Sequence, residues 1–160
     1  MITLVAAIDP NNVIGKAGST PWHIPDELKL FKAITYGHAL IAGHVTYKSI
    51  GHGLPGRTLY VLSHSKPTKN QEGVVFCSST TDALEKTKNE RTVFVIGGGS
   101  VYDEFMPLAQ EMRISHLRTE YSGDVYFPEI DHTIWRIHTK TEYPLFTHIH
   151  YVRNEQPSKN

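Results

Sequence analysis

The sequence predicts an α/β fold in three layers, with a central, mostly parallel mixed β-sheet flanked by helices. Two observations carry the prediction. From the N-terminus to about Met106, short apolar runs alternate with helical segments, the pattern of strands joined by crossover helices. After Glu111 the helical segments stop and strand patterns follow one another, which calls for antiparallel pairing at one side of the sheet.

Residues Ile2 to Ile8 form a nearly continuous apolar run, as expected of a strand covered on both faces. A helix is predicted from about Pro25 to Thr35, since proline suits the first helical turn. A short strand, Ala39 to Gly43, leads directly into a helix from His44 to about Ile50. "GHGLPGR" is a turn, Thr58 to Ser63 a strand, and Val74 to Cys77 a shorter one. A polar helix is predicted from Thr81 to about Lys88. "TVFVIGGG" reads as a strand ending in glycines, with a helix over Ser100 to Met106. The last strands are "MRISHLRTE", "WRIHTKTEY" and "THIHYVRN".

With 160 residues and no repeat or long linker, the chain is expected to form one domain over 1–160. Lys plus Arg and Asp plus Glu each number 16, which removes any bulk electrostatic argument for nucleic acid or anionic membrane. The single cysteine, Cys77, suits a reducing compartment. The apolar N-terminus lacks the basic flank and cleavage site of a signal peptide, and no stretch is long enough to span a membrane. A cytoplasmic location and a monomeric state are the expectations. Ten histidines invite a metal reading, but they are scattered. His148 and His150 would share one strand face without a cysteine or carboxylate cluster, so no metal site is assigned.

Three strand ends carry small or polar residues. "VIGGGSVYDEF" sets Gly97, Gly98 and Gly99 between a buried strand and a helix, where backbone can approach a ligand closely and free N–H groups suit an anion. It is not a dinucleotide fingerprint, because Tyr102 stands where a third glycine is needed. A glycine turn required only for packing is the competing reading. "IAGHVTYKSI" offers a second anion site at Gly43, His44, Val45 and Thr46. "LSHS" adds Ser63, His64 and Ser65 at a third strand end. Together they describe a crevice for a ligand with several phosphates.

"TPWHIPDELKLF" contains an acid that faces the wrong way. On a helical wheel Ile24, Leu28, Phe31 and Ile34 form an apolar stripe, and Glu27 lies roughly 45° from its centre. Asp26 lies roughly 145° away, on the solvent side, where it complements the helix dipole. Partial burial of Glu27 raises its pKa. One explanation is a buried ion pair with Arg57 or Arg113. The other is a ligand anchor, since a carboxylate accepts two parallel hydrogen bonds from an amidine-like edge, with Phe31 as an aromatic wall and the Trp22 indole N–H holding a water.

In order and spacing, "VIGKAGSTPWHIPDELKLFK", "GHVTYKSIGHGLPGR", "VIGGGSVYDEF" and "SGDVYFPE" resemble the dihydrofolate reductase family over nearly the whole chain. That resemblance implies NADPH-dependent reduction of 7,8-dihydrofolate to tetrahydrofolate by hydride transfer. It makes Glu27 the pterin-binding acid, Trp22 the residue orienting a water, and Ser115 the hydroxyl linked to the acid. It assigns Val5, Ala7, Leu28, Phe31, Ile50, Leu54, Ile96 and Tyr102 to the substrate pocket, and Arg57 to the folate glutamate carboxylate. Cofactor contacts are implied for Ala7, Ile14, Gly43 to Thr46 (with His44 and Val45), Leu62, Ser63, His64, and Gly97 through Ser100, Val101 and Tyr102. The Gly97–Gly98 bond resembles the family's cis peptide, and Gly15 to Thr20 its gating loop.

The sequence also departs from the family. His44 and Ser100 stand where many members carry a basic residue, so the phosphate grip is expected to rely on histidine, hydroxyls and backbone, with NADPH affinity weakening as pH rises through the histidine range. Thr20 replaces a large apolar residue of the mobile loop. The alternatives are a pterin or flavin-precursor reductase of the same fold, and a catalytically weak folate- or NADPH-binding protein.

Overall fold

The computed structural model describes residues 1–63 and 71–154. Its elements follow in order: β1 (Ile2–Ile8), β2 (Val13–Gly15), α1 (Pro25–Thr35), β3 (Ala39–Gly43), α2 (His44–Ile50), β4 (Thr58–Leu62), β5 (Val74–Cys77), α3 (Thr80–Lys86), β6 (Val93–Val95), α4 (Gly99–Phe105) with a 3-10 turn at Met106–Leu108, β7 (Glu111–Leu117), β8 (Val125–Tyr126), β9 (Trp135–Glu142) and β10 (Phe146–Arg153).

Eight strands form one sheet in the order β5-β4-β3-β6-β1-β7-β10-β9. Its first five pairings, out to β1–β7, are parallel, and β10 runs antiparallel to both β7 and β9. The mixed, mostly parallel sheet expected from the sequence is therefore present. Strand alternation divides its core into two apolar layers. Val5, Leu40, Ala42, Leu59, Val61 and Phe94 meet Phe31 and Ile34 of α1 and Tyr47 of α2 on one face. On the other, Leu4, Ala6, Ile8, Ile41 and Val95 pack against Ala83 of α3 and Val101, Tyr102 and Phe105 of α4. All five residues of β3 are buried, whereas only Trp135 is buried in β9, which forms an edge of the sheet.

Helix boundaries follow local chemistry. α1 opens on Pro25 with Asp26 and Glu27 in its first turn, where carboxylates oppose the positive end of the dipole. α3 begins at Thr80, one residue earlier than expected, because the Ser79 side chain accepts from Asp82 N–H at 3.0 Å and caps the helix. The strand expected to reach Ser63 ends at Leu62, and the one expected to include the glycines ends at Val95.

A two-stranded ribbon, β2 with β8, was not expected from the sequence. It joins the segment before α1 to the segment after β7. One buried side chain ties the same two segments: the Asp9 carboxylate, 2% exposed, accepts from Asn11 N–H (2.9 Å), Val13 N–H (2.7 Å) and Tyr121 N–H (2.9 Å).

Candidate active site

A cleft of about 1020 Å³ opens at the carboxyl ends of the parallel strands, between α1, α2 and α4. Such crevices form where neighbouring βα turns diverge from the sheet. Here two turns are joined directly, since Gly43 N–H donates to Gly97 O at 2.7 Å. Only glycine suits position 43: a Cβ there would stand 2.8 Å from Val101 Cγ2. Gly97 has φ 114°, a conformation that side chains disfavour, and its peptide bond to Gly98 is cis, as the family resemblance implied. Thr46 Oγ1 faces Gly98 from the opposite turn.

Most residues assigned from the sequence do converge on this cleft. Val5, Ala7, Phe31, Ile50 and Ile96 form apolar wall, Ile14 and Trp22 line the cleft with Gly15, Gly18, Ser19 and Thr20, and Gly43, His44, Val45, Thr46, Leu62, Ser63 and Gly97 through Tyr102 line the remainder. Leu28 also lines it, but it is 50% exposed at the rim rather than buried on the apolar stripe of α1. The helix lies over the sheet through Phe31 and Ile34, which leaves position 28 projecting past the strand ends.

Three assigned residues are not on the cleft wall. Ser115 is buried on β7, behind Glu27. Leu54 packs against the α1-side core, and Arg57 is held in the loop before β4, its guanidinium donating to Thr35 Oγ1 (3.2 Å) and Pro55 O (3.1 Å). Arg57 is 9% exposed, so it is not a free surface side chain after a turn. His64 lies outside the described residues.

Glu27 does line the cleft, and among the described residues neither Arg57 nor Arg113 forms an ion pair with it. That removes the buried-pair explanation of an inward acid. Burial pushes the Glu27 carboxyl above the usual carboxylate range, and the Ser115 hydroxyl opposes this as a hydrogen-bond donor would. Nearby, the Tyr102 hydroxyl donates to Val5 O at 2.6 Å, and burial, with the Glu27 charge adding, drives that phenol's pKa upward. Trp22 packs against Tyr121 at 5.1 Å between ring centroids.

Sequence reasoning missed the far end of the cleft, formed by Ser78, Ser79, Thr80, Thr81 and Glu104. The run "CSSTTD" was the available signal: four hydroxyls between the end of a strand and a helix. Glu104 accepts from Thr80 Oγ1 at 2.5 Å, which links α3 to α4 there. Also missed was His148 on β10, whose Nδ1 lies 3.2 Å from Ser115 Oγ.

The same architecture recurs in known proteins. The family model described as dihydrofolate reductase matches residues 1–152. The chain is 38% identical over 137 residues to a dihydrofolate reductase of Bacillus subtilis (strain 168), covering 86% of this chain and 81% of that one. It is 35% identical over 144 residues to dihydrofolate reductase type 3 of Salmonella typhimurium, covering 90% and 88%. A solved structure of dihydrofolate reductase from Enterococcus faecalis, complexed with NADP(H) and RAB-propyl, superposes with a TM-score of 0.84 at 34% identity over 97% of both chains. A family model that matches nearly the whole chain, with relatives that match it in both sequence and shape, leaves one assignment: this chain belongs to the dihydrofolate reductase family.

Proposed function

We propose that this protein reduces 7,8-dihydrofolate to 5,6,7,8-tetrahydrofolate, with NADPH as reductant. The observation that carries the reading is Glu27, a buried carboxyl without an ion-pair partner among the described residues, set beside the apolar wall of the cleft in a chain of this family. A carboxylate there binds the pterin's ring N–H and amino group through two parallel hydrogen bonds, which orients the ring. Phe31, Ile50, Val5 and Ala7 offer apolar wall to such a ring in the same cleft.

The donor set of the remaining cleft suits a dinucleotide with phosphates. It combines the backbone of Gly97 through Gly99 with the hydroxyls of Thr46 and Ser100 and the ring of His44. When bound, NADPH supplies the hydride. The protein's own residues supply position and the proton. Reduction needs a proton on the ring nitrogen beside the carbon that receives hydride. Glu27, with its raised proton affinity, and Trp22, with an indole N–H on the cleft, hold a water from which that proton is delivered. Residues Gly15 to Thr20 close over the site and exclude bulk water. Gly15, Gly18, Ser19 and Thr20 already border the cleft. Arg57 serves the glutamate tail, its guanidinium pre-oriented by Thr35.

We read the protein as a monomer of the cytoplasm without a nucleic-acid partner. Balanced charge supports the last of these.

The test is the loss of reduced-nicotinamide absorbance when the purified protein meets dihydrofolate and NADPH, run beside Glu27→Ala. Turnover in the parent and a loss of about 10²- to 10⁴-fold at neutral pH in the variant is the expected result. Undiminished turnover in the variant removes Glu27 from the chemistry, and tight binding of both ligands without turnover in the parent leaves a binding protein.

A further inference from the structure

The antiparallel side of the sheet carries a buried polar pair behind the catalytic cleft. Ser115 on β7 and His148 on β10 are register partners, 2% and 7% exposed, with Oγ and Nδ1 3.2 Å apart. Ser115 also pairs across to Ala7 of β1, on the cleft wall, and its hydroxyl acts on the Glu27 carboxyl. We propose that His148 is a positioning residue for the reduction, holding the Ser115 hydroxyl through Nδ1 and so setting the hydrogen bond that the Glu27 carboxyl receives. This rests on the reading of Glu27 and Ser115 given above.

The argument is one of proton counting. An ionised carboxylate only accepts, so it takes the single proton of the Ser115 hydroxyl. Oγ is then free to accept, and Nδ1 must be the donor, with the imidazole proton on that nitrogen. This leaves Nε2 as a bare acceptor. Nε2 is buried, and no described group hydrogen-bonds to it. A buried acceptor without a partner is better tolerated than a buried N–H without one, so both ends of the ring favour the same tautomer. Protonation of Glu27 weakens this arrangement, because a neutral carboxyl oxygen accepts the Ser115 hydroxyl proton less strongly than a carboxylate does. The chain as built therefore favours the ionised acid and works against the desolvation that raises its pKa.

The ring stays neutral across the working range. Burial pushes His148 down to about 4, and the charges facing it add to this, from Arg113 and His116 on β7 and His150 on β10. Its partner across β9 is the uncharged Thr141. The carboxyl side holds Glu27 with Tyr102 of α4 nearby.

The test is the pH profile of the hydride-transfer rate in a single turnover, with dihydrofolate and NADPH both saturating. His148→Phe removes the donor, and the midpoint is expected to move upward by roughly three- to ten-fold in proton concentration, the worth of one hydrogen bond. His148→Asn keeps a donor where Nδ1 stands and should hold the parent midpoint. In a Ser115→Ala background, His148→Phe should add no further shift. An unmoved midpoint in His148→Phe overturns the proposal, as does an equal shift with and without Ser115. Either failure leaves the Glu27 reading intact if Glu27→Ala still abolishes turnover. Undiminished turnover in Glu27→Ala sinks that reading and this proposal with it. Nitrogen NMR of the parent's imidazoles needs no variant: a His148 proton on Nδ1 at neutral pH is expected, and one on Nε2 overturns the assignment.

Discussion

The two sides of the sheet are built from opposite kinds of residue. From β5 to β1 the strands are parallel, sandwiched between α1 and α2 on one face and α3 and α4 on the other, and almost wholly apolar. From β7 to β9 the strands carry Glu111, Arg113, Ser115, His116, His138, His148 and His150, and the outermost strand is open to solvent. His150 pairs with Glu111 at 2.5 Å, His116 meets the Tyr151 hydroxyl at 2.8 Å, and His138 lies 4.9 Å from His150. One side supplies the cleft by where its strands end. The other supplies the polar support beneath Glu27. Rigidity and tunable chemistry are thus kept in separate strands of one sheet.

The largest expected effect breaks the apolar side. Phe105, fully buried between α4 and the sheet, should cost about 3–5 kcal/mol as Phe105→Ala, read from denaturant unfolding. A loss under about 1 kcal/mol would mean that α4 is not seated as described.

The antiparallel side should reveal itself in acid. A histidine held neutral by burial binds its proton less readily folded than unfolded, so its stabilisation is present above the unfolded pKa and is lost as pH falls. For His148 the window runs from 6.5 down to about 4, on the order of 3 kcal/mol over the range. Burial lowers His116 and His150 in the same direction. Unfolding of the ligand-free protein should therefore become easier from pH 6.5 to 4, and His148→Phe should flatten that slope. An unchanged slope would place the acid sensitivity in other groups.

At the solvent edge the contrast is sharpest. Ile137 on β9 is 50% exposed, and Ile137→Ala should change stability by no more than about 0.5 kcal/mol. A cost approaching that of Phe105 would mean that this face is covered in solution.

The same contrast explains what the sequence revealed. Parallel strands covered on both faces are continuous apolar runs, so β1, β3 and β5 could be placed directly. Pro25 and the spacing of Phe31 and Ile34 did as much for α1. The inward orientation of Glu27 followed from helical geometry alone. What remained hidden depended on partners distant in the chain. β2 and β8 are three and two residues long, too short for any periodicity, and exist because they pair with each other. His148 meets Ser115 from 33 positions away, and only the register of β7 with β10 brings them together. Alternation could show that His148 and His150 share a face, but not that a serine and an active-site acid lay beneath it.

Asp9 carries one more consequence. Its carboxylate is shared by the backbone of two segments distant in the chain, at Asn11 and Val13 on one and Tyr121 on the other. Neither segment can pull away without stranding an anion whose remaining donors lie on its counterpart. The segment that leads into β2 and the segment that leads into β8 are therefore coupled through one side chain, at residue 9.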